Sequence, residues 1–431
     1  MNFQNTLEFA KQLDKKDELK HFREMFYIPM MFGKECIYFT GNSLGLQPKR
    51  TQDYVVDELE DWASLGVEGH LHARNPWLPY HEVFPRQLSK IVGCKENEVV
   101  VMNSLTVNLH LLLVTFYRPS KERYKIICEA KAFPSDQYAF ETQARYHACL
   151  PDRQGFDPDE AVIEVNPREG EHTVRTEDII AVIKQHGDSV AVVLFGGVNY
   201  YTGQLFDLNA ITEAAHSVGA YAGFDLAHAA GNVELRLHDW NVDFACWCSY
   251  KYLNSGPGGV GGIYIHEKHA ANAELPRFAG WWGYTKATRF KMEKGFEAMP
   301  TAEGWQLSNA PILAMAAHKA ALDVFDEAGM DELHKKRKWL SGYLHFVLND
   351  INSSQNEKLI EIITPANENE RGCQVSMLML KNGKDIFTEL TARGVIADWR
   401  EPNVIRVAPV PLYNSFEDIY RFGCIVNELI S

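Results

Sequence analysis

From residue 98 to residue 265 the chain alternates short apolar runs with longer amphipathic stretches, and this alternation constrains the fold more than any other feature. The runs at 99–102, 125–128, 190–195, 221–224, 244–248 and 262–265 are too short for helices and carry few polar residues. Strands with no polar face must be buried on both faces. Residues 107–116, 135–147, 176–185 and 208–217 supply helical periodicity between them. The expected fold class is therefore α/β, a mostly parallel sheet flanked by helices. After residue 308 the pattern changes. Helices are expected at 311–328, 330–348 and 384–393, and strands at 359–364, 374–380 and 404–407, which reads as a smaller α+β C-terminal domain. The expected division is an N-terminal segment at 1–45 with a short strand at 37–39, a large domain at 46–308 and a small domain at 309–431.

With 431 residues, 46% of them hydrophobic, there is ample material for a large core. The 43 Lys and Arg residues against 57 Asp and Glu give a net charge of −14, a poor basis for binding a phosphate backbone. Any anionic ligand must be held by local donors. No run approaches the roughly 18 apolar residues of a membrane span, and the polar start Met1-Asn2-Phe3-Gln4-Asn5 lacks the apolar core of a signal peptide. Eight scattered cysteines read as reduced thiols. The expectation is a cytoplasmic protein with no nucleic-acid and no membrane partner.

Two segments carry the strongest chemical signal. Phe224-Asp225-Leu226-Ala227-His228 ends one apolar run, and Ser249-Tyr250-Lys251-Tyr252-Leu253-Asn254 follows the next. Adjacent parallel strands would aim Asp225 and Lys251 into one crevice at the carboxyl edge of the sheet, where α/β proteins bind ligands. A desolvated lysine is a useful amine for a Schiff base, and a carboxylate opposite it suits a protonated pyridine nitrogen. That pairing is the protein's side of a pyridoxal phosphate site; a plain buried ion pair is the alternative. Asn103-Ser104-Leu105-Thr106 stands between a strand and a helix start, where free N–H groups favour an anion. Phe133-Pro134-Ser135-Asp136 repeats the arrangement. The run from Gly256 to Gly262 matches G-x-G-x-x-G but leads into a strand, so the dinucleotide reading fails in context. Cys246 and Cys248 have the wrong spacing for a metal pair, and His266 with His269 is expected to be a surface turn; no metal is expected.

Taken together, these motifs resemble the kynureninases, pyridoxal 5′-phosphate (PLP) enzymes of the aspartate-aminotransferase fold (fold type I, class V branch). The resemblance runs through residues 39–45, 103–110, 133–136, 223–234, 249–254, 288–292 and 405–416. It implies that Lys251 holds PLP, Asp225 pairs the ring nitrogen with His228 beside it, and Phe133 stacks on the ring. Ser135 and Asp136 follow that residue, and Asp136 is similar to a contact on the cofactor's hydroxyl side. Leu105, Thr106 and Tyr250 match cradling positions, Tyr250 through its hydroxyl to the phosphate. Trp281 and Asn309 match residues that reach the site across a homodimer interface, Arg406 a clamp on the substrate's α-carboxylate, and Ser43 and His70 positions near the substrate. Lys251, Tyr250 and Asp225 are the implied catalytic set. Gly196 departs from relatives that carry serine there. The implied reaction is hydrolysis of L-kynurenine or 3-hydroxy-L-kynurenine to L-alanine and anthranilate or 3-hydroxyanthranilate, in tryptophan catabolism and NAD precursor synthesis. His70 with Asn309 matches relatives associated with the hydroxylated substrate. Three other readings remain: a cysteine desulfurase-like lyase, for which Cys373 comes nearest to a suitable thiol, a nucleotide-binding protein, and a silent dimeric scaffold.

Overall fold

The computed structural model describes residues 3–150 and 155–431, so the first two residues of the polar N-terminus lie outside the described residues. Seven strands form the central sheet: β1 (Val99–Val101), β2 (Lys125–Glu129), β3 (Val162–Val165), β4 (Val190–Gly196), β5 (Tyr221–Asp225), β6 (Phe244–Cys248) and β7 (Gly261–Ile265). Their spatial order is β1-β7-β6-β5-β4-β2-β3. Every neighbouring pair is parallel except the two made by β7, which runs antiparallel to both β1 and β6.

Side-chain alternation splits the strands between two cores, one on each face. Val99, Val101, Ile127, Val193, Phe195, Ala222, Phe224, Ala245 and Trp247 fall in one cluster. Their alternate neighbours Val100, Ile126, Cys128, Val192, Leu194, Phe244 and Cys246 fall in the other. This period of two is what a strand buried on both faces produces. Gly223 is required by close approach: a Cβ there would meet the Phe244 ring at 2.1 Å. That ring stacks on Phe116 with centroids 4.5 Å apart.

The smaller sheet comprises β8 (Ile360–Ile362), β9 (Val375–Met379), β10 (Asp398–Arg400) and β11 (Val404–Val407), ordered β8-β9-β11-β10 and antiparallel throughout. Its core draws on the helices Met330–Ser353, Gly383–Ala392 and Phe416–Ile430. Ala10, Leu13 and Phe39 from the N-terminal segment are buried in that same core. Asp14 accepts the backbone N–H groups of Phe416 (2.7 Å) and Glu417 (2.9 Å), so one helix caps the start of another. Asp17 and Lys336, both buried, form an ion pair at 2.7 Å. Ile37 and Tyr38 pair in parallel with Val395 and Ile396. By contrast, Met315, Ala316, Leu322 and Phe325 of the Ile312–Ala328 helix lie in the first core.

Periodicity did not reveal β3, half-exposed at the sheet edge, nor the C-terminal helix, although Ser415 and Asp418 form a capping box at its start. His266 and His269 do not form the surface turn expected of them. His269 Nε2 bonds Asp243 Oδ1 at 2.7 Å, and His266 is buried beside Glu98 with its ring stacked on His238. The Gly256–Gly262 run does lead into a strand, as its sequence indicates. Among the described residues no helix is long and apolar enough to cross a membrane.

Removing Asp17 leaves a buried ammonium without its counter-ion, which costs about 3–5 kcal/mol. Asp17→Ala should therefore lower Tm strongly, and the double variant Asp17→Leu/Lys336→Met should recover most of the loss. Thermal denaturation of the three proteins checks this.

Candidate active site

The carboxyl ends of β2, β4, β5 and β6 open into a cavity of about 160 Å³. Strand pairing sets its geometry. In the β5–β6 register Asp225 lies opposite Cys246, and the chain leaves β6 three residues before Lys251. The Asp225 carboxyl accepts the Ala227 N–H at 2.7 Å. Lys251 Nζ lies 5.7 Å from the Phe133 ring centroid, so amine, carboxyl and aromatic face bound one space. Asp225, Lys251, Tyr250, His228, Phe133, Ser135, Asp136, Leu105 and Thr106 all line this cavity.

Local sequence explains the walls. Asn103 takes a left-handed backbone (φ 47°), which asparagine tolerates, and turns the chain from β1 into the Leu105–Phe116 helix. Asn108 locks the turn: its Nδ2 donates to the Met102 carbonyl at 2.8 Å and its Oδ1 accepts from Asn103 at 3.0 Å. Ser104 is the N-cap residue but makes no capping bond with its hydroxyl, so that helix presents its N–H groups toward the cavity. Opposite, Pro134 starts the Pro134–Ala148 helix and Phe133 is held edge-on to Tyr200 with centroids 5.2 Å apart.

Burial governs the electrostatics. The Asp225 carboxyl is pushed up by desolvation, opposed by the Ala227 N–H and the Lys251 charge. Asp136 is pushed well up by desolvation and then by Asp225, with which it shares a hydrogen bond; the two carboxyls hold a proton between them. His228 is held well below the usual histidine range by desolvation, then by Lys251, Arg406 and Arg400, and is neutral. Desolvation also raises Tyr250 and Cys248.

Five residues singled out from the sequence do not line this cavity: Ser43, His70, Trp281, Asn309 and Arg406. Ser43, Trp281 and Asn309 are exposed. His70 bonds the Val67 carbonyl at 3.0 Å and sits edge-on to Trp77. Arg406 is almost fully buried in β11; its Nη2 meets Asp398 at 2.8 Å across the β10–β11 ladder, and its Nη1 donates to the carbonyl of Tyr200, itself a wall residue. Wall residues that escaped the sequence reading include Glu129, Tyr200 and Cys248. Glu129 had a signal, since it ends an apolar strand as Asp225 does.

The fold also occurs in known structures. A cysteine desulfurase from Thermococcus onnurineus superposes with a TM-score of 0.72 at 17% identity, covering 92% of this chain and 94% of that one. The cysteine desulfurase CsdA from Escherichia coli gives 0.73 at 14%, covering 96% and 98%. At that identity the likeness defines the fold, fold type I of the PLP-dependent enzymes. Residues 333–426 match the kynureninase C-terminal domain. A kynureninase from Flavobacterium psychrophilum is 57% identical over 99% of both chains, and one from Mus musculus is 49% identical over 98% of this chain and 92% of that one. The chain belongs to the kynureninase family.

A desulfurase needs a mobile reactive thiol. Cys373 is buried, with its N–H bonded to Asn232 Oδ1 at 2.8 Å and its thiol pushed up to about 12 by desolvation. All eight cysteines are free, and Cys149 is the exposed one. A thiol reagent should label Cys149 first and leave Cys128, Cys246, Cys248 and Cys373 unmodified until the protein unfolds. Mass mapping of the labelled peptides reads the order.

Proposed function

We propose that the chain is a PLP-dependent kynureninase, a hydrolase that cleaves the Cβ–Cγ bond of L-kynurenine or 3-hydroxy-L-kynurenine to release L-alanine and anthranilate or 3-hydroxyanthranilate. The observation that carries this reading is Lys251 and Asp225 facing one cavity between two helix starts, in a chain 57% identical to a kynureninase.

The residues fit the cofactor. Asp136 Oδ1 and His228 Nδ1 are buried polar atoms without protein partners, as expected of walls built around a polar ring. The Leu105–Phe116 helix start suits a phosphate, with the Tyr250 hydroxyl as an added donor. Phe133 offers its face to the ring, and Asp225 suits its nitrogen. Bound PLP supplies an electron-accepting ring that stabilises the carbanions formed on the substrate.

The chain's own groups do the rest. Lys251 would hold the cofactor, and its amine, when free, would take and return protons at the substrate's α-carbon. Asp225 would hold the ring nitrogen and favour its protonated form. His228, being neutral, adds no charge against that proton. Arg406, oriented by Asp398, offers its planar fork to the α-carboxylate. Tyr250, kept protonated by burial, is the proton donor to the alanine fragment. Water adds to the γ-carbonyl, and the aromatic acid leaves as the Cβ–Cγ bond breaks.

The working unit we propose is a cytoplasmic homodimer with shared sites. Supporting it, Trp281, Asn309 and His70 lie off the cavity of their own chain, and His70 and Trp281 contact the exposed apolar residues Val67 and Phe290. Mixing a Lys251→Ala chain with an Asn309→Ala chain should restore one intact site per heterodimer. Heterodimers that stay as inactive as the parent variants would defeat the shared-site reading.

His70 and Asn309 are polar groups suited to bonding a ring hydroxyl, and an unpaired buried donor costs about 1–3 kcal/mol. Incubation with each substrate should yield alanine with the matching anthranilate, and kcat/KM should favour 3-hydroxykynurenine by roughly tenfold. No alanine from either substrate would overturn the reaction; equal kcat/KM values would overturn the preference alone.

A further inference from the structure

We propose that Glu129 is a positioning residue of the cofactor pocket: its carboxyl, held on the Gly196 N–H, is a second acid beside Asp225 whose ionisation fixes how tightly a proton is kept on the bound cofactor. The inference rests on the cofactor reading above and assigns a wall residue that reading leaves idle.

Glu129 ends β2 at the cavity, is 4% exposed, and has no cation in contact among the described residues. Both its oxygens accept the Gly196 N–H, at 3.1 and 3.2 Å. Gly196 makes room for this: a Cβ there would stand 2.9 Å from Glu129 Oε1. The carboxyl thus occupies ground that a serine side chain at this position would contest.

The charged neighbours define its effect. Asp225 faces it from β5, Asp136 from the Pro134–Ala148 helix and Glu164 from β3, with the Cys128 thiol beside it on β2 and Lys251 across the cavity. Three wall carboxyls oppose one amine. Burying that excess charge is costly, so protons must stay bound. Asp136 and Asp225 share one. Glu129 carries the other, its carboxyl pushed up to about 7 by desolvation against the Gly196 N–H, with Asp225 and Glu164 raising it further. Its ionisation therefore falls in the neutral range. Above that range its charge stabilises protonated neighbours, and below it the pocket loses this hold.

Glu129→Gln, close to isosteric, separates the possibilities in two measurements. In the cofactor-free protein, folded Glu129 binds its proton more tightly than an unfolded glutamate at about 4.3. Wild type should therefore lose stability relative to the variant as pH rises from 5 toward 8, so that the variant's Tm advantage grows across that range. In the PLP-loaded protein, the variant's chromophore should titrate about one pH unit lower, a tenfold weaker hold on its proton. A pH-independent Tm difference overturns the assignment, and so does an unshifted chromophore titration. Should neither protein develop a PLP chromophore, the cofactor reading fails and the Tm comparison alone decides Glu129. Should the variant not fold, carbon NMR of wild type labelled at glutamate carboxyls must show one resonance titrating near neutrality; its absence overturns the proposal.

Discussion

Backbone hydrogen bonding around Asp225 is the constraint on which the site depends. The Gly197 N–H donates to the Asp225 carbonyl at 2.7 Å from one side, and the Leu226 N–H donates to the Cys246 carbonyl at 2.7 Å on the other. Asp225 is thereby stitched to β4 and β6 at once, in the middle of a seven-stranded sheet. A carboxyl at a frayed strand end would drift into water; here it cannot. The Gly223 gap filled by Phe244 extends the same logic, since the ring keys β5 to β6 two residues below the catalytic end. Precision of this kind is what an electron-withdrawing site needs, because its charge stabilisation works only when groups are held in advance.

Desolvation then turns held groups into chemical ones. Burial shifts Glu129, Asp136, Asp225 and His228 toward their neutral forms, and hydrogen bonds or Lys251 oppose the shift selectively: Asp225 is supported by an N–H and an amine, while His228 gets only like charge. The arginine follows a different route. Arg406 belongs to the small sheet yet reaches the wall through the Tyr200 carbonyl, and Asp398 directly opposite it in the ladder sets the direction of its fork. Tyr200 in turn braces Phe133. Arg406 and Phe133, from two different parts of the fold, are therefore both anchored on one tyrosine.

How much of this the sequence disclosed follows from where the signal lies. Strands buried on both faces announce themselves as apolar runs, so six of the seven central strands and the Asp225–Lys251 juxtaposition were legible. β3 was not, because an edge strand with a half-wet face, Val162-Ile163-Glu164-Val165, looks like any mixed segment. That β7 runs antiparallel was equally hidden, since strand direction leaves no mark in composition. Glu129 was missed although it ends a strand, for an acid after an apolar run carries no sign that its charge stays inside. The two histidines near residue 266 misled for the opposite reason: polar residues after a strand suggest surface, but buried Asp243 and Glu98 draw them inward. Trp281 and Asn309, which we propose act beside a second chain, were reached only through resemblance, because one chain's periodicity says nothing about its neighbour.

The N-terminal segment shows why local reading runs out there. Its helix is unremarkable in sequence, yet Asp14 caps the C-terminal helix and Asp17 neutralises Lys336, contacts more than 300 residues apart along the chain. Farther on, the Ala408 N–H donates to the Phe39 carbonyl at 2.8 Å, the Gly45 N–H donates to the Tyr250 carbonyl at 2.8 Å, and Asn254 donates to the Leu46 carbonyl at 2.9 Å. Gly45 has no side chain because a Cβ would stand 2.3 Å from the Lys251 carbonyl. The segment thus runs from the small core, past the β11 strand that bears Arg406, to the loop that bears Lys251. Ser43 lies on that span, between the group suited to the substrate's carboxylate and the group suited to the cofactor. Its exposure is then no argument against a role at the site, because the backbone on both sides of it is bonded to elements that form the site.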